Sequence, residues 1–131
     1  MYYGKLLKKT RIEANLTQEE MAEHLFCNRS VVSKLESDNI SLSTSRALTW
    51  FDIVGRKDII FAIFNGIESD VIYNTMFNKD YITSVNESGL FRKINEECFT
   101  VEELESYVYA KSEEMKQWKN NLIKYVTASS K

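Results

Sequence analysis

The chain has 131 residues, 44% of them hydrophobic and 27% charged, and carries a formal net charge of −2. That composition belongs to a folded protein of one domain or two small ones and excludes a disordered chain. It also excludes a protein that holds nucleic acid by bulk positive charge, so any such binding must rest on where the charges sit. There is no proline and there are only four glycines, which favours helices over a many-stranded sandwich with its frequent turns.

Met1-Tyr2-Tyr3-Gly4-Lys5 has no charged start running into an apolar stretch, so no signal peptide is expected. The longest apolar run, Ile59 to Phe64, falls far short of the ~20 residues of a membrane-spanning helix. A cytoplasmic protein without membrane association is expected. Cys27 and Cys98 stand far apart, with neither a CxxC nor a metal-ligand spacing, and read as two reduced thiols. His24 lies three residues before Cys27, but it reads as a solvent-facing histidine beside a packed thiol rather than as a catalytic dyad. With no glycine-rich phosphate loop, no metal constellation and no nucleophile beside its base, the sequence points away from an enzyme and from any metal or cofactor.

In chain order, Tyr3 to Ala14 is expected to form the first helix, with Tyr3, Leu7, Thr10 and Ala14 recurring at helical spacing. Asn15 sits where a helix ends in a left-handed residue. Thr17 with Glu20 three residues on is a capping box for the second helix, whose apolar side is Met21, Ala22 and Leu25. After the turn Phe26-Cys27, Asn28 is placed to cap a third helix, Arg29 to Glu36. Val32 and Leu35 point inward on it, while Arg29, Ser30, Ser33 and Lys34 share the opposite face. Ser41 or Ser43 caps a fourth helix carrying Leu42, Ala47, Leu48 and Phe51.

The run Leu16-Thr17-Gln18-Glu19-Glu20-Met21-Ala22, followed by Ser30-Val31-Val32-Ser33-Lys34-Leu35-Glu36, resembles the lambda-repressor-like (Cro/cI-type, or XRE) helix-turn-helix family. Gly4 to about Gly55 can be laid on its pattern without gaps. The resemblance implies an all-α bundle and a sequence-specific regulator of transcription, most simply a repressor of phage or mobile-element type, with double-stranded DNA as partner. It implies that Gln18 anchors a DNA phosphate at the start of the second helix, where an amide and unpaired backbone N–H groups suit an anion. It places Arg29, Ser30, Ser33 and Lys34 toward base edges in the major groove, with Asn28 beside them and Val31 near enough to touch a thymine methyl. Asn39, in the loop that follows, is implied to contact backbone phosphate. Arg11 and Glu36 fall on positions that form an ion pair joining the first helix to the third. One position departs: the family usually has glycine where this chain has Phe26. Either Phe26 keeps a positive φ at a cost of roughly 1–2 kcal/mol, or the turn is rebuilt and the third helix is aimed differently; a third reading makes Phe26 an anchor for the second half.

Residues 1–55 hold seven basic and seven acidic side chains, and the remainder ten basic and twelve acidic. The second half is thus the poorer DNA surface and the better candidate for binding a protein partner. Arg56 to Asn65 reads as a buried helix closing the first domain, with a buried strand as the alternative. Ser69 is placed to cap a helix through Val71, Ile72, Met76 and Phe77; Asp80 is placed to cap another through Tyr81, Ile82 and Val85, ending near Gly89. Leu90 to Phe99 stays open. Thr100 and Glu103 form a capping box for a long last helix with no breaker before Ser129-Ser130-Lys131.

On that last helix Val101, Leu104, Val108, Lys111, Met115, Trp118, Leu122 and Tyr125 recur by three and four, a heptad seam in which only Lys111 is out of character. Leu104, Val108, Met115, Trp118 and Leu122 are the expected contact of a homodimer. A long helix packing on its own chain is the rival, and Tyr107, Tyr109 and Ile123 widen the apolar face in its favour. The division expected is 1–66 for DNA binding and 67–131 for dimerisation or regulation. The alternative function is a helix-turn-helix protein that acts through protein contacts, as an antirepressor or antitoxin does.

Overall fold

The computed structural model describes residues 2–97 and 100–129, apart from the side chains at 88, 90, 95, 101, 108 and 123–129. Among the described residues the protein is all-α, with ten helices and no strand. They are α1 (Gly4–Glu13), α2 (Gln18–His24), α3 (Arg29–Glu36), α4 (Thr44–Ile53), α5 (Lys57–Phe64), α6 (Ser69–Thr75), α7 (Lys79–Ser88), α8 (Leu90–Glu97), α9 (Val101–Ala110) and α10 (Ser112–Ser129). None of the described helices is long and apolar enough to cross a membrane. The chain packs as two compact units, the first ending at Arg56 and the second beginning at Lys57. The division therefore falls ahead of α5, whereas the sequence places it after residue 66.

In the first unit α3 packs against both α1 and α2. The buried face of α1 is Gly4, Leu6, Leu7, Thr10 and Arg11, turned away from the expected Tyr3 and Ala14, which are only half-buried. A contact at Gly4 accounts for the turn. Its N–H donates to Asp38 Oδ1 at 2.9 Å, and a Cβ there would lie 2.3 Å from the Glu36 carbonyl oxygen. Only glycine lets two backbones approach so closely. Behind it, Trp50 is fully buried, its Nε1 donating to Thr10 Oγ1 at 3.1 Å. The Thr10 hydroxyl donates in turn to the Leu7 carbonyl at 2.9 Å, so each buried polar atom of this trio is answered. Val32, Leu35, Leu42, Ala47, Leu48 and Phe51 complete the core. Ser43, rather than Ser41, caps α4, accepting from the Arg46 N–H at 3.1 Å.

The second unit is organised on α5, buried from Lys57 through Ile63, as a helix apolar on all sides must be. It packs against α6 and α8, while α10 runs along α6. The cap of α7 is Asn78, whose Oδ1 accepts from the Asp80 N–H at 2.8 Å, so the cap lies two residues before the expected Asp80. It ends at Gly89 with φ 74°. Glu68 occupies the N-cap of α6 in place of Ser69. The open stretch after Gly89 is helical through Glu97; Cys98 and Phe99 lie outside the described residues.

The long last helix is two helices. Thr100 caps α9, accepting from the Glu103 N–H at 3.1 Å, but α9 stops at Ala110 and Lys111 leaves the helical region at φ −111°, ψ 34°. Lys111, the one misfit of the seam, marks the break. Leu104, Met115, Trp118 and Leu122 are buried in a single copy of the chain. Trp118 Nε1 donates to the Tyr81 hydroxyl at 3.1 Å, that hydroxyl donates to Asp58 Oδ2 at 2.8 Å, and the Trp118 ring meets Phe91 edge-on at 5.2 Å. Of the apolar face expected for a second copy, these four residues are instead part of the core of their own unit. The side chains of Val101, Val108, Ile123 and Tyr125 lie outside the described residues. Lys57, with no exposed surface, donates from Nζ to the Ile94 carbonyl at 3.3 Å and so ties α5 to α8.

Candidate functional site

The residues singled out in the first unit gather around α2, the turn after it, and α3. At the start of α2, Thr17 Oγ1 accepts from the Glu20 N–H at 3.1 Å and Glu20 Oε1 accepts from the Thr17 N–H at 3.2 Å. This reciprocal box answers two of the helix's orphan donors. At its other end Leu25 is the cap and Phe26 takes φ 54°. The Phe26 N–H donates to the Glu23 carbonyl at 3.2 Å and the Cys27 N–H to the Ala22 carbonyl at 3.0 Å, the paired bonds of a Schellman ending. The same ending closes α1 at Asn15 (φ 59°) and α3 at Asp38 (φ 60°). The turn is therefore not rebuilt around Phe26. It keeps the positive φ at a strain of about 1–2 kcal/mol, and the ring itself is 96% exposed. His24 is exposed, and Cys27 is half-buried with a free thiol.

Asn28 takes the extended N-cap conformation of α3, although its side chain makes no cap hydrogen bond. Val32 and Leu35 are buried beneath the helix. Asn28, Arg29, Ser30, Ser33, Lys34 and Asn39 are all exposed, and Val31 is half-buried. Asn39 Nδ2 donates to Ser37 Oγ at 2.9 Å. A helix with two apolar anchors at i and i+3 turns its remaining residues outward together, so the exposed row follows directly from Val32 and Leu35.

The acid of this helix points the other way. Glu36 takes two parallel bonds from Arg11, Nε to Oε2 at 2.6 Å and Nη2 to Oε1 at 3.1 Å; the two side chains are only 10% and 4% exposed. Arg11 Nη1 donates to the Leu16 carbonyl at 2.8 Å, and Gln18 Nε2 donates to Glu36 Oε1 at 3.2 Å. One carboxylate thus fastens α1, the start of α2 and the end of α3. Gln18, expected to face a phosphate, here gives an amide hydrogen to Glu36. Sequence reasoning found the Arg11–Glu36 partners but missed Gln18 as the third member and Gly4 as the point of closest approach. Gly4 did carry a signal: it is one of four glycines, and it opens a helix where no turn asks for one.

The arrangement can offer donors outward from Arg29, Lys34, Asn28 and the two serines with no carboxylate in the row. Glu19, Glu20 and Glu23 on α2 are exposed, so the surroundings are close to neutral. Among the described residues no group of His, Cys, Asp and Glu could hold a metal ion. No protein-family model matches the chain, and neither a curated protein nor a solved structure does.

Proposed function

We propose that the first unit is a lambda-repressor-like helix-turn-helix domain that reads double-stranded DNA with α3, and that the protein is a sequence-specific transcriptional regulator, most simply a repressor of phage or mobile-element type. One observation carries the reading: α3 turns its only acid inward onto Arg11 and Gln18 and its two bases outward in one exposed row with Ser30 and Ser33. Such a row suits a groove edged with acceptors. Arg29 and Lys34 donate to guanine, the serines accept or donate, and Val31 lies where a thymine methyl would meet it. Asn39, and Gln18 through whatever donor capacity its bond to Glu36 leaves, are assigned to phosphate, where contacts position the helix without reading sequence.

Two exposed bases on the reading helix provide little electrostatic help, so a single copy is a weak binder. Two copies on half-sites about 34 Å apart would supply the remainder. Because Leu104, Met115, Trp118 and Leu122 are buried within their own unit, this pairing belongs to another surface, or to DNA itself. The rival reading, action through protein contacts as an antirepressor or antitoxin, draws on the near-neutral first unit and the acidic excess of the second.

The test is direct. Arg29→Ala and Lys34→Ala should each cost about 1–3 kcal/mol of discrimination, roughly 5- to 150-fold in affinity for a preferred duplex, with the unfolding midpoint unchanged because both side chains are exposed. Wild-type affinity in both variants would defeat the assignment of α3. Absence of any salt-sensitive duplex binding by the wild type would favour the protein-contact reading instead.

A further inference from the structure

Phe26 carries two unfavourable features at once in the free protein. Its backbone is left-handed at φ 54°, a conformation that bulky residues avoid, and its ring is 96% exposed. Asn15 and Asp38 take the same φ at the matching helix ends, but their short polar side chains ease it, and a phenylalanine has no such relief. Together they describe a side chain that the fold holds out at a cost and does not use, and glycine at this position would remove both. Strain kept at one defined position points to a role in binding.

The position narrows the role. Phe26 precedes the N-cap Asn28 by two residues and Arg29 by three, so it stands at the end of α3 that a helix-turn-helix presents to base edges. The other exposed large hydrophobics of the first unit, Tyr2 and Ile12, belong to α1 and its lead-in. Leu25, Cys27 and Val31 around the turn are half-buried. A protein interface calls for an apolar cluster within a broad buried area, whereas one projecting ring suits a small apolar target. Duplex DNA has two such targets at the groove edge, the thymine methyl and the face of a deoxyribose.

We propose that Phe26 is a DNA-contact residue whose ring packs against a thymine methyl or a deoxyribose at the mouth of the groove; this rests on the DNA-reading assignment of the first unit. The ring then leaves water only in the complex, and the strained turn is what keeps it available.

The experiment uses the full chain and a pool of random-sequence duplexes, from which the wild type selects its preferred sequence. Phe26→Gly and Phe26→Asn, both compatible with positive φ, are then compared with the wild type on that duplex. Both variants should unfold at or above the wild-type midpoint and yet bind roughly tenfold or more weakly, the effect of losing one buried ring. Replacing each thymine by deoxyuridine separates the two targets. A replacement that weakens the wild type but not Phe26→Gly identifies a methyl, and unchanged coupling at every position identifies the sugar. Variants that bind as tightly as the wild type would overturn the proposal, assigning Phe26 to another partner, while Arg29→Ala would still report whether α3 reads DNA. Variants that unfold at a lower midpoint would also overturn it, by showing that the ring serves the fold. If the wild type selects no duplex at all, the DNA reading itself fails and this proposal fails with it.

Discussion

Glu36→Ala is expected to destabilise the first unit by about 3–5 kcal/mol, because it leaves the Arg11 guanidinium enclosed without its countercharge. The expectation follows from burial: the two side chains are 10% and 4% exposed, too enclosed for the small values of surface ion pairs. The chain has two tryptophans, Trp50 in the first unit and Trp118 in the second. Trp50 fluorescence during urea unfolding therefore reports the first unit, with Trp118→Phe as the background. A loss under about 1 kcal/mol would mean that the pair behaves as an exposed one. Replacing both partners, Arg11→Met with Glu36→Leu, should recover most of the stability, since an apolar pair of similar volume is often neutral or better. That double variant separates two roles. If the carboxylate also aims α3 and holds Gln18, the restored fold should discriminate less sharply between DNA sequences than the wild type does.

The second large effect lies in the other unit. Trp118→Ala should cost about 3–5 kcal/mol, the usual range for emptying a buried aromatic site. In a unit of this size that lowers the unfolding midpoint by at least about 12 °C. The loss combines the edge contact to Phe91 with the donor that the Tyr81 hydroxyl accepts. Trp118→Phe keeps most of the apolar volume and should cost only about 1 kcal/mol for the missing hydrogen bond. Calorimetry of the full chain checks both. The opposite result, wild-type stability with an altered association state in sedimentation, would return Trp118 to a contact between copies.

The contrast between these two units shows where sequence is informative. The elements from α1 to α4 were legible because their signals are local. Thr17 and Glu20 cap a helix from three residues apart, Asn15 closes one by taking a left-handed φ, and Val32 and Leu35 orient α3 by spacing alone. Phe26 left its turn open, because whether a bulky side chain accepts positive φ depends on the two backbone bonds around it. The ties of Gly4 to Asp38 and of Gln18 to Glu36 were missed since those partners are remote in the chain. At α7 both Asn78 and Asp80 are good caps, and composition does not rank them. The seam misled for a different reason. A spacing of three and four says that a helix face is covered, and it reads the same whether the cover is the same chain or another. Lys111 held the remaining information, and it marked the break between α9 and α10. The function of the exposed row on α3 is legible only through chemistry, as donors facing outward and an acid facing in.

The burial of α5 also bears on how the protein is made. Its apolar run, Ile59 to Phe64, leaves the ribosome when the first unit is already complete, but α8 and α10, which help to build its unit, begin about 25 and 50 residues later. At roughly 5–20 residues per second, the nascent chain carries an unclothed oily helix for seconds before its shelter exists. A stalled or clipped product ending just after Phe64 would consist of a finished small domain with a sticky tail, prone to self-association. Ending at Arg56 leaves that tail out, so the quality of a fragment turns on the few residues by which its end precedes or follows α5.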